Sequence, residues 1–191
     1  MTTGKKKKLL AVFEPLLSPL YNTAILVTEN TEEAEDLFES LLRRAVDSFA
    51  QQPEVFSPRV WLYQLLVVQL GLNKHAEFIS APNDREGERE VFFFYRQLLA
   101  SGQVLNGALT EAWWDQLGNL LVAAIKDLPV WYRLLIVLRD TEGFTDEEIA
   151  FILNMPVDMI TDQLALAKYR LQKRMWRMLS IRDGWKDDRL V

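Results

Sequence analysis

Apolar residues recur along this chain at every third or fourth position, with little of the strict alternation of a half-buried strand, and that period is helical. Phe144, Ile149, Ile152 and Leu153 make one face of a short helix, with small Ala150 beside them to admit a second helix closely. Ile160, Leu164, Ala167, Leu171, Met175 and Met178 line a longer helix on a single stripe. Over the whole chain the period predicts helices at about 9–28, 31–50, 58–77, 88–101, 109–127, 129–140, 145–153 and 157–179. The expected fold is all-α: two small helical domains joined by a partly helical linker, the C-terminal one a helix-turn-helix.

Punctuation residues sharpen the boundaries. Thr31, followed three residues later by an acidic pair, is close to a capping box, and Thr145 with Glu148 fits that pattern directly, hydroxyl to backbone N–H and carboxylate back to the cap. Asn154 stands where a helix can end in the left-handed conformation that Asn tolerates. Pro156 follows in the first turn of the next helix, where its fixed φ and missing N–H cost little. Two helices joined by so short a turn have helix-turn-helix anatomy. "SAPNDREGERE" at 80–90 combines Pro, Gly, Asn and dense charge and reads as a domain boundary, with "SGQVLNG" at 101–107 a second weak point. The expected division is 1–79, a linker over 80–127 with apolar helices, and 128–191.

With 49% hydrophobic and 26% charged residues, the 191-residue chain can bury a core. The absence of cysteine excludes disulfides, thiolate metal sites and thiol catalysis, and is compatible with a reducing cytoplasm. The longest apolar runs, such as "LLVAAI" at 120–125, fall far short of the ~20 residues that span a bilayer, so no membrane association is expected. Lys5 to Lys8 lack the apolar stretch of a signal peptide behind them and read as a solvated, frayed end. Net charge is −5, against indiscriminate coating of nucleic acid. Its distribution is uneven: Asp140 to Asp162 holds seven acidic residues and no basic one, whereas Gln163 to Arg182 holds six basic and no acidic. Any nucleic-acid contact in this half is therefore expected late, along the final helix.

Catalytic chemistry has little to stand on. The single histidine, His75, has no cysteine or carboxylate cluster near it and reads as a surface residue. No Gly-rich phosphate cradle or nucleophile elbow is present. Glu147 and Glu148 belong to a capped first turn, and Glu32, Glu33, Glu35 and Asp36 lack the His support and inward spacing of a metal site. The expectation is a protein that is not an enzyme and takes no metal or cofactor. Phe92 to Phe94, Trp113 and Trp114 read as packed core, or alternatively as a partner-binding patch.

The run "LPVWYRLLIVLRDTEGFTDEEIAFILNMPVDMITDQLALAKYRLQ" resembles the C-terminal promoter-reading region of bacterial RNA polymerase sigma factors, in particular the small extracytoplasmic-function group. Leu128-Pro129, Tyr132-Arg133, Leu138-Arg139-Asp140, Glu142-Gly143, Glu148-Ile149-Ala150 and Leu153 carry the likeness. "TEEAEDLFESLLRRAVDSF" resembles the family's polymerase-docking helix, and "SPRVWLYQLLVVQL" the helix after it. The resemblance implies a cytoplasmic sigma factor that binds core RNA polymerase and directs promoter-specific initiation, with an anti-sigma protein as a possible further partner. It implies polymerase contacts at Asp36, Glu39 and Arg44 and promoter DNA contacts at Thr161, Gln163, Lys168, Arg170 and Arg174.

Departures from the family pattern run one way. The recognition-helix positions usually held by small hydroxyl and basic residues carry Pro156, Met159, Asp162 and Leu166, and only Thr161 and Gln163 remain hydrogen-bonding groups there. Asp158 and Asp162 favour the helix N-terminus through its dipole and would repel phosphate. Glu39 replaces a glutamine, and Gln64, Val67, Val68 and Leu72 stand where the usual Arg, Asn and Asp handle the melted strand. Promoter binding is thus expected to be weak or dependent on the polymerase complex. The alternative is a sigma-like protein without DNA reading, an anti-sigma decoy or a polymerase-bound regulator.

Overall fold

Helix follows helix in the computed structural model, which describes residues 3–28, 30–49, 57–72 and 111–182. The elements are α1 (Thr3–Val27), α2 (Thr31–Ser48), α3 (Pro58–Gln69), α4 (Glu111–Lys126), α5 (Val130–Ile136) running into a π turn (Val137–Thr141), α6 (Asp146–Leu153) and α7 (Val157–Arg182). No strand occurs among the described residues, so the all-α expectation holds. No single helix among them is long and apolar enough to cross a membrane. The expected helix at 88–101, the 80–90 stretch, His75, Phe92 to Phe94 and the side chains of Trp113 and Trp114 lie outside what is described.

Three boundaries differ from expectation. The first helix starts at Thr3, so Lys5 to Lys8 belong to its opening turns rather than to a frayed end. Asn30 and not Thr31 caps α2: its side-chain oxygen accepts from Glu33 N–H at 2.9 Å and its amide donates back to the Glu33 carboxylate at 3.0 Å. The third helix stops at Gln69 rather than 77 because Gly71 takes φ +70. The Gly71 N–H then bonds the Val68 carbonyl and the Leu72 N–H the Val67 carbonyl, a closed end that needs a residue free to turn left-handed.

The same closure ends α6 without a glycine. Asn154 has φ 53 and ψ 52, its N–H meets the Phe151 carbonyl, and the Met155 N–H meets that of Ala150 at 2.9 Å. The Thr145–Glu148 capping box forms as expected, with bonds of 3.2 and 2.9 Å. Pro156 sits one residue ahead of α7, its carbonyl accepting the first bond of that helix from Ile160.

One core runs through both halves of the chain. Helix α1 packs on α2 and α3 and also on α4 and α5, while α3 packs on α6, and α7 closes over α4, α5 and α6. Leu20, Leu41, Tyr63 and Leu66 from the first half meet Leu135, Phe144 and Ile149 from the second in a single cluster. Each fully buried leucine contributes roughly 1.5–3 kcal/mol. Such burial carries α1 through Pro15 and Pro19, each of which removes a backbone donor from the helix. A smaller cluster of Ala124 and Met175, flanked by Leu120, Leu171 and Trp176, joins α4 to the second half of α7.

Asn154 offers a test of the α6–α7 turn. Replacement by glycine should leave stability unchanged or slightly raised, and replacement by valine should lower it by about 1–2 kcal/mol, the cost of a left-handed backbone for a branched residue. Urea unfolding at constant m reads the difference. Equal losses in both variants would assign the role to the Asn side chain instead of the backbone.

Candidate nucleic-acid and polymerase interface

Helices α6 and α7 meet at a bend of 101° across their short turn, the crossing of a helix-turn-helix. The capping box fixes where α6 begins and Asn154 where it stops, so α7 leaves the turn in a set direction. Phe144, Ile149, Ile152 and Leu153 are buried with Ile160, Leu164 and Ala167, which settles the rotation of both helices. The outer face of the first half of α7 then carries Asp158, Thr161, Asp162, Ala165 and Lys168.

The five candidate DNA contacts end in different surroundings. Thr161 is exposed, and its hydroxyl donates to the Asp146 carboxylate and the Val157 carbonyl, both at 3.3 Å. Gln163 is only 5% exposed and is engaged within the fold. Lys168 lies 3.0 Å from the Asp140 carboxylate. The Arg170 guanidinium rests over the Tyr132 ring, 4.8 Å from its centroid. Arg174 pairs with Asp127 at the end of α4. Lys168, Arg170 and Arg174 therefore face carboxylates and an aromatic ring of their own chain, while Lys173, Arg177, Asp158 and Asp162 remain exposed.

The candidate polymerase-binding residues share one surface. Asp36, Glu39 and Arg44 are all exposed on α2, with Glu39 holding Arg43 one turn away at 2.6 Å. Beneath them Ala34, Leu41 and Ala45 are buried, so this amphipathic helix offers its charged side outward.

The helix after it turns inward. Gln64 on α3 donates to the Phe151 carbonyl of α6 at 3.0 Å, Val67 is buried, and Leu72 packs on the core, whereas Val68 is exposed. Val67 and Leu72, two of the four positions where the family's polar groups are missing, thus meet the core, which accounts physically for their apolar character.

A polar cluster lies at the same junction. Glu142, in the loop after the π turn, has a side chain only 7% exposed. Its carboxylate lies 3.7 Å from the Arg59 guanidinium and accepts from the Thr23 hydroxyl at 3.2 Å. Arg59 also donates to the Glu142 carbonyl and stacks 3.9 Å from the centroid of the Phe144 ring, which Tyr63 meets edge-on at 4.9 Å. Gly143, at φ +70, lets the loop reverse between Glu142 and Phe144 so that both face α3. Nearby, Arg133 is 7% exposed and donates to the Leu128 carbonyl at 2.8 Å and to the Thr28 carbonyl at 3.2 Å, joining α5 to the end of α1. The sequence carries no signal for these pairings, which join residues 83, 119 and 105 positions apart.

Comparison with known proteins agrees with this helical layout. No family model matches the chain. Over 163 residues, 82% of this chain and 82% of the relative, it is 27% identical to the ECF RNA polymerase sigma factor SigW of Bacillus subtilis. Over 139 residues, 69% of this chain and 66% of the relative, it is 26% identical to the ECF RNA polymerase sigma-E factor of Escherichia coli strain K12. The chain is thus similar to ECF sigma factors over most of its length. The sigma factor RpoE of Bartonella quintana, solved in complex with the anti-sigma factor NepR, matches at a TM-score of 0.58 and 20% identity, covering 92% of this chain and 98% of that one. At that identity the match speaks for the fold, one that a sigma factor adopts.

Tyr63 gives a measurable handle on the junction. Burial pushes its hydroxyl well above the ordinary tyrosine range near 10, and Glu142 adds to the rise while Thr23 and Arg59 oppose it. A raised folded value means the contribution is complete below about pH 10 and falls as pH rises beyond it, because the unfolded chain releases the proton first. Urea midpoints should therefore begin to drop above about pH 10, and Tyr63→Phe should lessen that drop. An equal alkaline drop in both proteins would place the titrating group elsewhere. Arg133→Met should cost about 1–3 kcal/mol at neutral pH by leaving two buried carbonyls without their donor.

Proposed function

We propose that this chain is a sigma factor that binds core RNA polymerase and directs promoter-specific transcription initiation in the cytoplasm. The observation that carries the reading is the co-linear likeness to an ECF sigma factor over 82% of both chains. In this reading residues 1–79 dock on polymerase and attend the melted strand, 80–127 connect, and 128–191 read upstream DNA. Asp36, Glu39 and Arg44 contact the polymerase from the exposed side of α2. Thr161, Lys168, Arg170 and Arg174 approach promoter DNA, with Gln163 set behind them. An anti-sigma protein is a natural further partner, since the RpoE neighbour is solved with one. Catalysis, metal and cofactor have no part.

One set of contacts favours a second reading, a sigma-like decoy or polymerase-bound regulator that does not read DNA. Lys168 and Arg174 each face a carboxylate of the same chain, and the start of α7 presents Asp158 and Asp162. Binding phosphate would require exchanging those partners, which lowers the net gain of each cation.

Transcription separates the two. The purified chain, mixed with core polymerase and genomic DNA of its source, should give discrete RNA 5′ ends that share an upstream sequence and are absent with core alone. A folded chain that binds core and gives no new 5′ ends would favour the regulator. Asp158→Asn with Asp162→Asn should strengthen promoter binding. Arg170→Ala and Arg174→Ala should weaken it and reduce the salt slope by roughly 0.9 for each phosphate that is no longer neutralised. Unchanged DNA affinity in all four substitutions would remove α7 from promoter recognition.

A further inference from the structure

We propose that Lys173 and Arg177, in the second half of α7, form the main phosphate grip of this chain on duplex DNA, so that the helix is held on the DNA backbone well beyond its acidic first turns. The inference deepens the sigma-factor reading, adding residues that hold the DNA, and rests on it. Both side chains are exposed. They stand two residues to either side of buried Met175, about 160° around the helix axis from it, and so belong to the outer face. Neither pairs with a carboxylate among the described residues, whereas Lys168 is held by Asp140 and Arg174 by Asp127. Lys173 lies instead 5.8 Å from the centre of the Tyr169 ring. A cation already paired must give up its carboxylate to take a phosphate, and an unpaired one gains the whole release of DNA counterions. One helical turn separates the two, about 5–6 Å between their Cβ atoms, a spacing that serves neighbouring phosphates of one strand.

Distance from the aspartates favours the same end of the helix. Asp158 and Asp162 are exposed on the outer face of the first turns of α7. At 1.5 Å per residue Lys168 lies about 9 Å along the axis from Asp162, Lys173 about 16 Å and Arg177 about 22 Å. The Debye length at physiological salt is about 8 Å. Repulsion between the aspartates and phosphate is therefore felt at Lys168 and largely screened at Lys173 and Arg177. The surface also suits a hydrated polyanion better than a protein. Protein interfaces centre on a desolvated apolar anchor, and none of the exposed large hydrophobic side chains among the described residues lies on α7 beyond Val157.

The test measures binding of the full chain to a labelled random-sequence duplex by fluorescence anisotropy, from ~50 to ~200 mM salt. Lys173→Gln with Arg177→Gln should weaken binding at the low-salt end and reduce the salt slope by roughly 1.8, about 0.9 for each phosphate. Across that range the native chain should then lose roughly tenfold more affinity than the double variant. Lys168→Gln with Arg174→Gln should reduce the slope by less, because each native cation already has a carboxylate. Helical circular dichroism, unchanged in both double variants, excludes unfolding as the cause. An unaltered slope in the Lys173 and Arg177 variant, a larger fall in the Lys168 and Arg174 variant, or no binding by the native chain at low salt overturns the proposal. Loss of core polymerase binding by the Lys173 and Arg177 variant, with its DNA slope intact, would assign the pair to a protein surface and overturn it equally. The sigma-factor reading fails separately: a native chain that gives no new RNA 5′ ends with core polymerase, while the slope falls as expected, leaves Lys173 and Arg177 as the DNA grip of a regulator.

Discussion

A carboxylate removed from water needs a cation or several hydrogen-bond donors, and the meeting of the two halves is arranged around supplying them to Glu142. Arg59 comes from the start of α3 and Thr23 from the last turns of α1, so three separate elements must be in place before the charge is satisfied. Phe144, two residues on, fills the space beneath Tyr63 and receives the Arg59 guanidinium on its ring. Polar matching and apolar burial thus select the same docking of α6 on α3. Arg133 repeats the logic at the far end of α5, where a buried guanidinium meets carbonyls in place of a carboxylate.

Much of the fold is legible in the sequence because helices are local. The caps at Thr145 and Asn154 and the stripe from Ile160 to Met178 follow from spacing alone, and they stand as expected. Differences arise where one residue outweighs the pattern. Gly71 ends α3 although apolar spacing continues past it, and Asn30 takes the cap from its neighbour Thr31. The π turn at Val137–Thr141 has no period of its own, so in sequence it is indistinguishable from the tail of an ordinary helix.

The candidate site is legible only by type. Spacing can say that Lys168, Arg170 and Arg174 lie along the last helix, but their partners Asp140, Tyr132 and Asp127 belong to other elements. Gln163 shows the same limit: one step in rotation separates it from exposed Asp162, and packing of α7 on its neighbours decides that Gln163 goes inside. Val67 and Leu72 look like losses when seen against a family pattern, and gain a positive cause only once the core is found around them.

The π turn has one further consequence. An α-helix advances 100° per residue, so a segment that closes i to i+5 holds one residue more than the same length of ordinary helix and swings everything after it around the axis. Glu142 follows directly, its N–H bonded to the Val137 carbonyl at 2.8 Å. The orientation of the whole helix-turn-helix relative to the first half is thereby encoded as a register offset inside a buried helix, with Val137 and Leu138 holding it from the core side. A regular helix over the same span would turn that loop by about 100°, away from the side it now presents to α3, and the two halves would meet through a different seam or not at all.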